Sequence, residues 1–427
     1  MTPPTPTTEN SRRGALVVAL CFLTIVADGY DLIVYGSTLP KIMEEPHWGL
    51  THDTAGFIGS ITLVGLMVGF VIAGPLADRI GRRRIIMFGA ALFSLGSLVC
   101  AVAPNVEAFG AARFVTGIGL GGVVPSAVAL TAEFAPANRR QLYNGLMLTG
   151  YSFGGIISAL AAMLFLPHSS WRVLFGIAGA FVLIVPVMYF WLPESASYLA
   201  TRRDRANSTQ SGRDIDRSSR GRGYRELLTP KFLAPITMFV LIAFCVNLVV
   251  YGLNTWLPQI MRESGYALGS SISFLLVLQI GAVIGMVAGS WLADKYGSGV
   301  VMVPFLIIGA ASLIVLSRPI DYAWLMIAVA GAGLGTIGTM TLTYGYVAAY
   351  FPVSCRGSAV GFAMGIGRAG AILGPMIGGW ILSSSLGHEW SFYAFAIPAL
   401  AAAGVVAVLA RLRAGAGEPH SAIVPAA

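Results

Sequence analysis

The chain has 427 residues, 56% of them hydrophobic and only 11% charged, with a formal net charge of +8. A water-soluble chain of this length needs far more charged surface, so the composition excludes a soluble enzyme or binding domain and indicates a polytopic membrane protein in a lipid bilayer. The excess of base is spread over alternate loops rather than gathered on one face, so it argues for membrane topology and not for a nucleic-acid partner.

A bilayer core of about 30 Å takes about 20 apolar residues per helix. Twelve such stretches are expected, at 15–39, 54–76, 85–103, 107–131, 141–165, 171–192, 232–257, 269–292, 299–317, 321–348, 357–383 and 389–411. Period-2 alternation is absent, which argues against an outer-membrane barrel. No cleavable signal peptide is expected: the first apolar segment is too long, lacks a small-residue cleavage site and reads as span 1. The fold class is therefore an all-α integral membrane protein with 12 transmembrane helices.

Span 1 contains Asp28-Gly29-Tyr30-Asp31, two acids three positions apart in an apolar segment. An acid at bilayer depth costs about 2.5–3.5 kcal/mol on insertion scales, so by default it faces a partner or a wet cavity. Between spans 2 and 3 lies Gly-Pro-Leu-Ala-Asp-Arg-Ile-Gly-Arg-Arg-Arg, residues 74–84, a glycine turn followed by a basic cluster. Asp78 can cap a helix or pair with a neighbouring arginine there. Span 4 carries Arg113 six residues after Glu107. At 1.5 Å per residue Asp28 and Arg113 both lie about 9 Å from the outer side, which permits an acid–base pair at one depth. Glu133, Pro136, Arg139 and Arg140 follow span 4, and Pro193-Glu194-Ser195 follows span 6. Acids and bases at these helix ends are candidates for bridges that break in a conformational cycle.

Residues 201–226, rich in Arg, Ser, Asp and Gly, read as a flexible linker. The chain on either side repeats at an offset of 216: Asp31-Leu-Ile-Val-Tyr-Gly36 matches Asn247-Leu-Val-Val-Tyr-Gly252, Leu76-Ala-Asp78 with Gly81 matches Leu292-Ala-Asp294 with Gly297, and Pro136 and Arg140 match Pro352 and Arg356. The expected organisation is an N-terminal six-helix bundle (1–200), a cytoplasmic linker (201–231) and a C-terminal six-helix bundle with a short cytoplasmic tail (232–427). Two pseudo-symmetric bundles suit alternating access around a midplane site. In the second half Asp28 becomes Phe244 and Asp31 becomes Asn247, so the first half alone has acid in its leading helix. Span 11 places Arg368 near the midplane, in a run of glycines ending at Pro375 that suits close packing and bending.

Of 27 Lys and Arg, 21 fall in alternate loops and tails, four in the other loops, and Arg113 and Arg368 inside spans. The positive-inside rule then sets both termini in the cytoplasm. The four cysteines are scattered and imply neither a disulfide framework nor a metal site. The five histidines fall in loops or the tail and no catalytic acid pair occurs in a span, so an integral-membrane enzyme is not expected. The tail after Arg413 is fourteen residues, too short for the cytoplasmic domain of a sensor.

These residues resemble the major facilitator superfamily over essentially the whole chain, with 74–84 similar to its signature loop and 289–299 a weaker echo. The resemblance implies gate roles for Asp78, Gly81, Arg82, Glu133, Arg140, Asp294 and Arg356. Within the superfamily, Asp28-Gly-Tyr-Asp31, Arg113 and the span-11 arginines resemble the aromatic acid:proton symporters of bacteria. That resemblance implies import of a benzoate-like or hydroxybenzoate-like acid across the bacterial cytoplasmic membrane, with no cofactor beyond the proton gradient, by a monomer. Asp28, with Asp31, is then the proton-coupling pair, and Arg113 is freed on protonation to hold the substrate carboxylate. Arg368, Asn247, Tyr251, Asn254 and Tyr344 complete the expected binding set, while Tyr35 and Trp256 read as interfacial anchors. A symporter of another organic anion or of a sugar is the alternative; span 8, with little polar beyond Gln279, counts against sugar.

Overall fold

A computed structural model describes residues 8–135, 140–207, 226–227, 229–318, 320–352 and 355–415. Among them, twelve helices are long and apolar enough to cross a membrane: Gly14–Ile42, His52–Ala77, Arg82–Ala101, Val106–Phe134, Tyr143–Phe165, Arg172–Trp191, Pro230–Glu263, Leu268–Tyr296, Ser298–Leu316, Tyr322–Tyr350, Arg356–Ser383 and Glu389–Leu412. Each coincides with an expected span, and they are numbered 1 to 12 in that order. Span 6 is regular except for one 3-10 turn at Phe181–Leu183, and a short polar helix, Ala196–Asn207, follows it.

The chain divides into two compact units that cut across the sequence halves. One comprises Met1–Arg213, Asn254–Gln279 and Pro375–His388; the other comprises Asp214–Leu253, Ile280–Gly374 and Glu389–Ala427. In the first unit, span 1 crosses span 5 at backbone contact: a Cβ on Gly29 would lie 2.1 Å from the carbonyl oxygen of Tyr151. Lipid tails offer helices no hydrophobic drive to associate, so such close approach of small residues supplies the packing energy. The Asn254–Gln279 segment is fastened in this unit by polar contacts at the ends of spans. His52 Nε2 lies 2.7 Å from Glu263 Oε1, Gln259 donates to the same oxygen at 2.8 Å, and Arg262 pairs with Glu44. These contacts continue span 7 to Glu263, six residues past its expected end.

Tyr35 and Trp256 are corrected by the same unit. Both are interior rather than interfacial, because each polar tip finds a backbone acceptor: Tyr35 donates to Ala55 O and Trp256 Nε1 to Pro375 O, both at 2.7 Å. In the second unit, spans 7 and 11 meet where a Cβ on Gly370 would clash with Phe244 O, and spans 9 and 10 meet at Gly309 and Gly335. Phe239 stacks edge-on against Tyr346 and Tyr350.

Candidate functional site

Asp31 of span 1 points into the first unit. Arg113, on span 4, donates from Nη1 to Asp31 Oδ2 at 2.8 Å and to the Asp31 carbonyl at 3.3 Å. Ser97, on span 3, donates to the other carboxylate oxygen. The ion pair is dry, with side-chain exposures of 2% for Arg113 and 0% for Asp31. Tyr35 and Phe175 each face the guanidinium with ring centroids at 5.8 Å. The depths of the two residues permit a pair between Arg113 and Asp28, and the ion pair described is with Asp31. The reason is rotational: three residues along a helix turn the side chain by about 60° while shifting it about 4.5 Å, and Ser97 with the two rings sits on the Asp31 side. Arg113 Nε has no hydrogen-bond partner among the described residues. A guanidinium fork half-occupied by an acid, with an unclaimed N–H beside it, is a ready carboxylate acceptor.

Asp28 is 2% exposed, one turn before Asp31. Its neighbour Gly29 rests on the backbone of Tyr151, so span 5 reaches the depth of the two acids through that residue. From Tyr151 a polar chain runs to spans 7 and 8: Asn254 Nδ2 donates to the tyrosine oxygen at 3.4 Å, and Gln279 Nε2 donates to Asn254 Oδ1 at 2.8 Å. Asn254 was expected in the site. Tyr151 and Gln279 lie outside the expected binding set. A lone amide in the apolar run Leu-Leu-Val-Leu-Gln279-Ile was the available signal for Gln279.

The other expected binding residues lie in the second unit. Asn247 is buried and returns its amide hydrogen to its own helix at Ala243 O, 2.7 Å away. Tyr251 is buried, Tyr344 half-buried and Arg368 9% exposed. Gly367, beside Arg368 on span 11, packs on Ala243, one turn of span 7 before Asn247.

The gate candidates of the first half form one assembly. Gly81 turns between spans 2 and 3 with φ +99°, a conformation that disfavours any Cβ. Span 3 therefore starts without a cap from its own loop, and Glu194 supplies one: its Oε1 accepts from Arg83 N at 3.1 Å and from Ser195 N at 2.9 Å. Glu133, at the end of span 4, pairs with Arg82 and caps the short helix, accepting from Ala196 N and Ser195 Oγ at 2.9 Å and from Ser197. The described partners of Glu133 thus all belong to the first half, whereas bridges between the halves were expected. Asp294 and Arg356 are exposed, with Arg356 Nε 3.4 Å from Phe351 O. The side chains of Asp78 and Arg140 lie outside the described residues.

The model of the Major Facilitator Superfamily matches residues 21–344 and 270–424. A benzoate transport protein of Acinetobacter baylyi is 36% identical over 415 residues, covering 92% of this chain and 88% of that protein. A gentisate transporter of Corynebacterium glutamicum is 35% identical over 410 residues, covering 94% and 89%. The crystal structure of a D-xylose-proton symporter superposes on 92% of this chain and 96% of its own, with a TM-score of 0.73 at 19% identity, a likeness of fold alone.

Proposed function

We propose that this chain, which belongs to the Major Facilitator Superfamily and is a multi-pass membrane transporter related to carriers of aromatic acids, imports an aromatic carboxylate together with protons. The observation that carries the reading is Arg113: a buried guanidinium shared with Asp31 through Nη1 while Nε has no partner among the described residues. A dry cation of this kind recognises an anion far better than it recognises a sugar hydroxyl. The benzoate and gentisate relatives supply the aromatic ring.

Proton coupling follows from competition for one arginine. While Asp31 is ionised it holds Nη1 and keeps the cation neutralised. A proton arriving from outside, through Asp28 one turn away, discharges the acid and leaves the guanidinium to a substrate carboxylate. Release of both on the opposite side restores the pair. Each carboxylate bound thus requires a proton on the acid, because an unpaired buried charge is strongly unfavourable. The basic loops support insertion in the bacterial cytoplasmic membrane with both termini inside. The two six-helix halves of a monomer alternate access, with the Glu133, Arg82 and Glu194 assembly, Asp78, Arg140, Asp294 and Arg356 at their gates.

The test is uptake into proteoliposomes under an imposed inward proton gradient, with benzoate, hydroxybenzoates, dihydroxybenzoates and phenylpropanoid acids against glucose. An acid should accumulate and collapse with a protonophore. Asp28→Asn should lose uphill accumulation while expressing normally. Normal uphill uptake by that variant removes Asp28 from coupling, and failure of every acid to move refutes the substrate class.

A further inference from the structure

We propose that Gln279 reads a hydroxyl on the substrate ring, so that the preferred acid is a hydroxylated one; the inference rests on the aromatic-acid reading above. Gln279 is fully buried in span 8. Its Nε2 is committed to Asn254 Oδ1 at 2.8 Å, and Asn254 commits its own amide donor to the oxygen of Tyr151. Both amides therefore donate in one direction, toward Tyr151, and the chain ends at Gln279 Oε1. That oxygen has no hydrogen-bond partner among the described residues. A buried amide oxygen left unsatisfied is costly, and an arriving donor removes that cost.

The chemistry of the missing partner is narrow. Gln279 Oε1 needs a neutral donor; a carboxylate would be repelled, which leaves the acid end of the substrate to Arg113. A phenolic hydroxyl is such a donor, and as a donor and acceptor it also suits the amide and tyrosine groups along the chain. Two features hold the amide in place. Gly155, one turn after Tyr151, gives it room, since a Cβ there would lie 2.8 Å from Gln279 Nε2. Tyr151 in turn carries Gly29 on its backbone, so the chain begins at the depth of the Asp28–Asp31 segment. A group built to accept one hydrogen bond discriminates strongly against an analogue that lacks the donor, because the buried oxygen then stays unpaired.

The experiment compares uptake of benzoate, 3-hydroxybenzoate, 4-hydroxybenzoate and 2,5-dihydroxybenzoate by the wild-type carrier, Gln279→Leu and Tyr151→Phe in proteoliposomes. In the wild type at least one hydroxylated acid should exceed benzoate in kcat/KM. In Gln279→Leu that ratio should fall about tenfold or more. Tyr151→Phe, which keeps the ring, should shift it in the same direction by less. A carrier damaged in folding loses all substrates alike, so the ratio separates recognition from stability. An unchanged ratio in both variants, or a wild type that prefers benzoate, overturns this inference and leaves the transport reading standing. A wild type that moves no aromatic acid overturns both.

Discussion

Replacing Asp31 by asparagine removes one charge from a dry pair and strands the other. Arg113 would keep the 3.3 Å bond to the Asp31 carbonyl and the faces of Tyr35 and Phe175, but lose the 2.8 Å charge-assisted bond. Removal of one partner from a buried ion pair costs about 3–5 kcal/mol. The two aromatic faces are present before and after the change and offset none of it, so a loss of about 3–5 kcal/mol is expected. Asp31→Asn combined with Arg113→Gln removes both charges and leaves neutral side chains able to bond each other and Ser97; it should recover more than half of the loss. The assay is the fraction of purified carrier that stays monodisperse after heating, read by size-exclusion chromatography. Asp31→Asn should lower the midpoint by several degrees, and the double variant should climb back. A single variant as stable as the wild type, or a double variant no better than the single, would refute the assignment of Asp31 as the charge partner of Arg113.

Two further outcomes follow from packing and capping. Gly29→Ala places a methyl 2.1 Å from Tyr151 O, which spans 1 and 5 relieve only by separating; overpacking of this kind costs about 1–3 kcal/mol or more, and the folded yield should drop sharply. Unaltered yield and thermal midpoint would show that the two backbones are not in contact. Glu133→Ala removes the cap of Ala196–Asn207 and the partner of Arg82, worth about 1–2 kcal/mol for the cap alone. Amide hydrogen exchange in residues 196–207 should speed up, and unchanged exchange there would discount the capping role.

The twelve spans were legible because a membrane imposes length and apolarity on each, whatever the packing. Their ends were less so: nothing local announces that span 7 continues to Glu263, since the groups that hold it, His52 and Glu44, are more than 200 positions away. In the site, helical rise was enough to set Arg113 level with the span-1 acids. It could not choose between Asp28 and Asp31, because that choice belongs to Ser97 on a third helix. Tyr151 left no trace at all. Tyrosine is common in membrane helices, and its meaning here comes from Gly29 on one side and Asn254 on the other. Tyr35 and Trp256 were misread because an aromatic near a helix end is usually a lipid anchor, and only a hydrogen-bond partner at depth distinguishes the buried case.

The Glu194 cap bears on how the internal duplication has aged. The second-half loop keeps the backbone turn, with Gly297 at φ +87°, and its following helix also starts without a side-chain cap. At the offset of 216 the counterpart of Glu194 is Ala410, so the repeat carried the bend into both copies but has the acid in only one. Heredity of shape and heredity of charge have parted company here. In the first copy Gly81 also leaves room for the acid, since a Cβ there would lie 2.2 Å from Glu194 Oε2. In the second copy the glycine stands alone, retained for the bend itself.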